Sequence, residues 1–288
     1  MSKLQTVFRY PGGKIKLADH IVLRMRRMLG QGFPPDIKPF TFVDVFVGGG
    51  SVAVAVANEF PNAKLVLNDL DEYIYSFWKI LCKSDTKEIN KLRSYTKKYS
   101  PPTVDVFKLL RREIEDDSRP REGRKAFYAL FFNRTAFSGI FNSGPIGGFD
   151  QSGKYNIACR YNASKIDRDL ERLYQRFSTI NAKCYNKDYT DILKKYRDDD
   201  NVFLYLDPPY MKQGHLLYKH YMQKEQYQEM ADLLRNCKAR WMVSHDDCPD
   251  LLKIFDGWAD IKTIEGVPYT INSIKGKKRT ELLISKKD

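Results

Sequence analysis

Two short stretches concentrate the residues able to do chemistry. Asp207-Pro208-Pro209-Tyr210 follows the wholly apolar run Val202–Leu206. Consecutive prolines cannot donate ladder hydrogen bonds, so the strand must end there, at the carboxyl edge of its sheet. A carboxylate beside a carbonyl stiffened by a proline ring offers two acceptors aimed at one point, with an aromatic face next to them. That combination suits a planar amine. The competing reading is a turn whose Tyr210 only caps the core. The second stretch, Gly48-Gly49-Gly50-Ser51-Val52-Ala53, fits G-x-G-x-x-A and has Asp69 twenty-one positions after Gly48. Glycines let the backbone approach a ligand, and a carboxylate after the second strand can accept from ribose hydroxyls. This is nucleotide-handling chemistry, and it leaves a dinucleotide and S-adenosylmethionine both open.

These residues need elements to hold them. Phe40–Phe46 is apolar, β-branched and aromatic, and reads as a strand. Ser51–Phe60 reads as a helix and Lys64–Leu67 as a second strand, so residues 40–69 have the pattern of one βαβ unit. After Gly12-Gly13, Ile15, Leu17, Ile21, Val22, Met25 and Leu29 fall on one helical face. Glu72 to Phe132 is mainly helical. Residues 138–160 are rich in Gly and Ser and predict a projecting loop or hairpin around a strand-like Lys154–Ala158. Helical spacing returns at Ile166, Leu170, Leu173 and Phe177. Strand 202–206, helix 223–237, strand 240–244, helix 248–255 and a strand pair near 259–265 and 280–285 complete an α/β sheet.

Composition limits the partners. The chain has 288 residues, 42% hydrophobic and 30% charged, which excludes a disordered chain. Its net charge of +13 favours a polyanion, nucleic acid ahead of an anionic membrane. The five cysteines never form C-x-x-C, and the four histidines show no metal-ligand spacing, so a reducing cytoplasm and no metal are expected. No segment reads as a signal peptide or a membrane span. No Pro-Cys dipeptide supplies the thiolate that cytosine-C5 methylation needs. Basic residues interleave with aromatics from Arg134 to Arg160, including Asn142, Lys154 and Tyr155, and cluster again at Lys275, Lys277, Lys278 and Arg279. Both segments suit phosphate or base contact.

Taken together, FRYPGGK at 8–14, VDVFVGGGS at 43–51, LND at 67–69, FFNRTAFSG at 131–139 and DPPY at 207–210 resemble the Dam-type, D12 class DNA adenine-N6 methyltransferases. The similarity runs over nearly the whole chain, in the order of the α-group. It implies an α/β, Rossmann-like S-adenosylmethionine-dependent methyltransferase sheet with a mainly helical target-recognition insertion. The expected parts are catalytic residues 1–70, insertion 71–162 with its projecting loop, and catalytic residues 163–288. By resemblance, Tyr10 and Lys14 line the cofactor pocket, Phe46, Gly48, Gly50 and Ser51 lie under the methionine portion, and Asp69 holds the ribose. Asp188 and Tyr189 lie near the cofactor adenine. Asp207, Pro208, Pro209 and Tyr210 would act on an adenine flipped from duplex DNA. Tyr10 departs from the family's common tryptophan and Tyr189 from its phenylalanine. A monomer, a cognate restriction enzyme as partner, and a bacterial or phage cytoplasm belong to the same expectation. Cytosine N4, RNA or a protein amide as acceptor, and a non-catalytic DNA-binding protein, are the alternatives.

Overall fold

The structure, a computed structural model, describes residues 3–9, 14, 17–30, 38–83, 86–116, 120–210, 222–267 and 279–287. The chain divides into two compact units. One comprises Met1–Gly13, Gly48–Gly50 and Glu72–Cys184, and the other Lys14–Val47, Ser51–Asp71 and Tyr185–Asp288.

The second unit is built on the sheet. Its elements are α1 (Ala18–Met28), β1 (Thr41–Asp44), α2 (Ser51–Glu59), β2 (Lys64–Asn68), α8 (Tyr189–Tyr196), β4 (Val202–Leu206), α9 (Lys224–Arg235), β5 (Arg240–Asp246), α10 (Pro249–Phe255), β6 (Ala259–Val267) and β7 (Arg279–Lys286). With β3 (Lys183–Tyr185), where the chain passes from one unit to the other, the strand order is β3-β2-β1-β4-β5-β7-β6. β1 pairs parallel with both β2 and β4, and β4 pairs parallel with β5, while β7 runs antiparallel between β5 and β6. This is the expected Rossmann-like α/β sheet. Alternate residues of each strand face opposite sides. Val43, Leu204, Val243 and Ile284 pack with residues of α8, α9 and α10 in one core. On the opposite side, Arg24 of α1 reaches Ser285 of β7 at 2.6 Å, and Phe42 stacks on Tyr205. Successive strands leave β1 in one direction and β4 in the other. Ligands in such sheets bind where the order reverses, at the carboxyl edge.

The first unit is helical, with α3 (Glu72–Cys82), α4 (Thr86–Lys98), α5 (Val104–Asp116), α6 (Glu122–Thr135) and α7 (Ala163–Thr179). Its core is aromatic. Phe77, Trp78, Phe107, Phe127, Phe131 and Phe132 are fully buried, and α6 is buried on nearly all sides. Lys154–Ala158 forms bends and turns, not the strand read from sequence. Gln151 is the reason, because its side chain accepts the Ile157 N–H at 2.8 Å and donates to the Ile146 carbonyl at 2.9 Å, occupying groups a ladder would need.

The glycine turn after β1 closes against the same core. Gly50 has φ +67°, and a Cβ there would overlap the Trp78 indole, whose Nε1 donates to the Gly48 carbonyl at 2.9 Å. Gly50 is therefore required by packing as well as by backbone conformation. Gly50→Ala is expected to lower stability by about 2–4 kcal/mol, the sum of overpacking and left-handed strain. The cost should shrink in a Trp78→Leu background. Denaturant midpoints of the two single variants and the double variant measure the coupling.

Candidate active site

The carboxyl edge of the sheet carries the candidate site, and strand register brings its polar residues to one face. Asp44 ends β1 opposite Tyr205 of β4, Ser244 lies on β5, and Glu281 on β7 pairs in register with Asp246. Lys14 precedes α1 and is tied to it by the Leu17 N–H, which donates to the Lys14 carbonyl at 2.9 Å. α1 itself is anchored by Arg24, which holds Asp260 at 2.6 Å as well as Ser285. The anchored helix thus delivers Lys14 to the edge.

Lys14 is buried and its ammonium meets three acceptors: Asp207 Oδ1 at 2.7 Å, the Tyr210 hydroxyl at 2.7 Å and Glu281 Oε1 at 3.0 Å. The Tyr210 hydroxyl accepts a hydrogen bond from the ammonium, and the two carboxylates balance its charge as ion pairs. Ser244 also donates to Asp207 Oδ1, at 3.3 Å. Among the described residues, both of these contacts fall on Oδ1, which leaves Oδ2 to face a ligand. The Asp207 side chain keeps 24% exposure. Tyr210 is buried, and burial pushes its phenol well above the ordinary value.

Asp44 is different in kind. It is fully buried, and burial first, then the charges of Asp207 and Asp69, hold its carboxyl well above the usual carboxylate range. Its Oδ1 has no hydrogen-bond partner among the described residues. An orphaned acceptor at the carboxyl edge fits a ligand that brings donors or positive charge. Asp69 is positioned by the turn after β2. Its Oδ1 accepts the Asp71 N–H at 2.9 Å, and the buried Asn68 amide ties the Val45 carbonyl at 3.0 Å to the Lys187 carbonyl at 2.9 Å.

Of the other expected cofactor residues, Asp188 caps α8, accepting the Thr190 N–H at 2.9 Å and its hydroxyl at 2.8 Å. Tyr189 lies 5.7 Å from the Phe46 ring and donates to the Gln226 carbonyl at 3.0 Å. Both have structural duties visible here. Ser51 opens α2, and Gly48 and Gly50 form the turn before it. Tyr10 lies outside the described residues, as do His215, His220, Lys277 and Lys278. Arg279 opens β7. Sequence reasoning did not single out Asp44, Asn68, Ser244 or Glu281. Glu281 had a signal, being a lone acid inside the apolar TELLIS strand.

The basic and aromatic loop belongs to the helical unit. Ala136 bridges Pro145, and Arg111 of α5 lies 3.8 Å over the Phe132 ring and donates to the carbonyls of Phe141 and Ser143. That frame leaves Asn142 and Lys154 exposed, together with Phe137, Phe149 and Tyr155 at 59%, 57% and 60%. Arg134 is instead half-buried, donates to the Arg160 carbonyl at 3.4 Å, and is pushed down to about 10 by burial and then by Arg9. It braces the loop. Among the described residues no group of His, Cys, Asp and Glu could hold a metal ion, and no helix is long and apolar enough to cross a membrane.

Three kinds of likeness accompany this geometry. The profile of the family described as D12 class N6 adenine-specific DNA methyltransferase matches residues 10–268. The chain is 21% identical over 216 residues to the Type II methyltransferase M.MjaIII of Methanocaldococcus jannaschii, covering 72% of this chain and 70% of the relative. It aligns with the rRNA methyltransferase aviRa from Streptomyces viridochromogenes at TM-score 0.43 and 12% identity, over 96% of this chain and 86% of that one. It also aligns with WbdD, in a co-crystal structure with the kinase inhibitor LY294002, at TM-score 0.42 and 10% identity, over 94% of this chain, and spans 41% of that protein.

The state of Asp44 has a pH consequence. Its folded pKa is raised, so the stability it contributes is present below its unfolded pKa, about 4, and is lost as pH rises toward the folded value. Asp44→Asn removes this loss. Relative to the parent, the variant should therefore gain stability steadily from about pH 4 toward neutrality. Parallel stability curves for the two proteins across that window would show that Asp44 is ionised in the fold.

Proposed function

Since the chain belongs to the D12 class N6 adenine-specific DNA methyltransferase family, we propose that the edge described above is where methyl transfer takes place, with S-adenosylmethionine as donor and Asp207–Tyr210 as the catalytic turn. The observation that carries this reading is the Asp207 carboxylate at the switch in strand order, fixed by Lys14 at 2.7 Å and open to ligand through its second oxygen. Asp44, with its orphaned oxygen, and Asp69 supply acceptors suited to a donor-rich, cationic cofactor. Phe46 supplies an aromatic surface beside them, and the glycine turn that continues β1 supplies backbone groups.

When bound, S-adenosylmethionine supplies a methyl group made electrophilic by its sulfonium. The chain's residues do the rest. The adenine amino nitrogen has its lone pair delocalised into the ring, so it is a poor nucleophile until pyramidal. Hydrogen bonds from the amino group to Asp207 Oδ2 and to the Pro208 carbonyl favour that geometry and stabilise the positive charge that develops on nitrogen. Asp207 needs its negative charge for this, and Lys14, 2.7 Å from Oδ1, orients the carboxylate. The stacked path of a base inside a duplex cannot reach such a turn, so the adenine is flipped out, and the Tyr210 ring is the stacking surface for it. The helical unit reads the target. Its loop exposes Asn142 and Lys154 with three aromatic rings, a combination suited to phosphate contact, base-edge contact and insertion between bases.

Asp207→Ala should abolish transfer of labelled methyl to adenine in duplex DNA while leaving DNA binding largely intact, because the carboxylate acts mainly in the transition state. Near-normal turnover by the folded variant would refute the assignment.

Substitutions at Asn142 and Tyr155 should instead relax discrimination between the preferred site and its one-base variants, by about 1–3 kcal/mol per lost base contact. Binding to cognate and variant duplexes across a salt series checks this. A change confined to the salt slope would make the loop a phosphate clamp only.

A further inference from the structure

The turn Asp207–Tyr210 is held from behind by a buried chain that the methylation chemistry above does not use. Tyr227 of α9 is fully buried, and its hydroxyl donates to the Pro209 carbonyl. His245 of β5, also fully buried, has Nε2 3.2 Å from the same hydroxyl. Its Nδ1 lies 2.9 Å from the Asp246 carbonyl oxygen and 2.8 Å from Asp246 Oδ1. The imidazole also touches the turn directly, with its ring 5.1 Å from that of Tyr210.

The hydrogens can be counted. A tyrosine hydroxyl has one hydrogen, and here it is directed at Pro209, so the bond to His245 is donated by Nε2–H. On its other side the ring is held by Asp246, with Nδ1 against the backbone carbonyl oxygen and beside the carboxylate. The series runs from Asp246 through His245 and Tyr227 to the Pro209 carbonyl, and its last two donors, His245 Nε2–H and the Tyr227 hydroxyl, point toward the turn.

The stereochemistry of the turn says what the series is for. Each proline ring fixes φ of its own residue and neither has an N–H, so the freedom left to the turn is rotation of its peptide planes. The carbonyls are its polar handles. Holding the Pro209 carbonyl fixes the peptide joining Pro209 to Tyr210, and through it the path of the chain from Pro208 to the Tyr210 ring. We propose that Tyr227, oriented by His245, is a positioning residue for methyl transfer: it locks the plane of the Pro209 peptide, so that the Pro208 carbonyl and Asp207 converge on the amino group. This rests on the reading of Asp207–Tyr210 as the catalytic turn. A misplacement of the acceptors by a fraction of an ångström to an ångström is felt in the chemical step, while cofactor and DNA contacts elsewhere are unaffected.

The test compares Tyr227→Phe, His245→Gln and Asp207→Ala with the parent, in full-length protein. Tyr227→Phe keeps the ring and removes the bond to Pro209. Expected is a fall in kcat of about 10- to 100-fold, with KM for S-adenosylmethionine and for duplex DNA within about twofold of the parent. In the parent, nitrogen-edited NMR should show an N–H correlation for His245 Nε2, and that signal should move in Tyr227→Phe. His245→Gln, which retains a donor toward Tyr227, should lose less kcat than Tyr227→Phe and guards against a folding defect in the latter. Unchanged kcat in both variants, with Asp207→Ala inactive, would overturn the proposal and leave the catalytic turn standing. A rise in KM that accounts for the whole loss would overturn it as well. Turnover retained by Asp207→Ala would overturn the reading of the turn and the proposal with it.

Discussion

One buried ammonium organises the reactive edge. Lys14 is withdrawn from water almost completely, which costs several kcal/mol unless its charge is matched. The match comes from widely separated parts of the chain: Asp207 and Tyr210 after β4, and Glu281 on β7, itself wholly buried. None of these groups is stable in its place alone. Two carboxylates converging on one point repel, and an unaccompanied buried acid would take up a proton. The ammonium between them offsets that repulsion. The position of α1, the geometry of the turn after β4 and the insertion of β7 between β5 and β6 are therefore linked through a single cation.

That economy of charge explains why Asp44 differs from Asp207. Asp44, Asp69 and Asp207 all lie at the carboxyl ends of strands or just beyond, and burial first, then the charges of Asp207 and Asp69, raise the Asp44 carboxyl. Burial decides which of them yields. Asp44 has no access to water and carries the raised value, whereas Asp207 keeps partial exposure and a lysine. The edge thus places the partly exposed Asp207 at its rim and the buried Asp44, with its orphaned oxygen, deeper in.

The parts of this arrangement that were legible in the sequence are those fixed by local stereochemistry. Two prolines must end a strand, and an apolar run with a glycine turn must lead into a helix, so the Asp207–Tyr210 turn and the first βαβ unit could be read directly. Residues that depend on strand order could not. Glu281 reads as a lone acid at the start of an apolar strand, where an acid would normally face water, and it is the antiparallel pairing of β7 with β5 and β6 that buries it. His245 and Tyr227 meet each other and the Pro209 carbonyl from different elements, which no local pattern announces. β3 has three residues, too few for alternation to register. Gly50 was legible in type and not in cause. The pattern suggests room for a ligand, and the structure shows in addition an indole filling the space a side chain would need.

The loop of the helical unit follows a different logic from the sheet. Lacking ladder pairing, it is held by side chains acting as backbone substitutes: Gln151 bonds both Ile146 and Ile157, Arg111 bonds Phe141 and Ser143, and Arg134 bonds Arg160. Such bracing specifies a shape while leaving the rings at its tip largely in solvent. Phe137, Phe149 and Tyr155 then remain more than half exposed on a chain with ample aromatic core elsewhere, a cost in water that a partner with flat apolar faces can offset. Stacked bases provide those faces, and the +13 charge favours the phosphates that carry them. Exposed rings on a braced loop and a buried, charge-balanced edge on a sheet are opposite solutions. On the reading proposed above each suits its task, since target reading requires side chains free to adapt to bases, whereas methyl transfer requires acceptors that do not move.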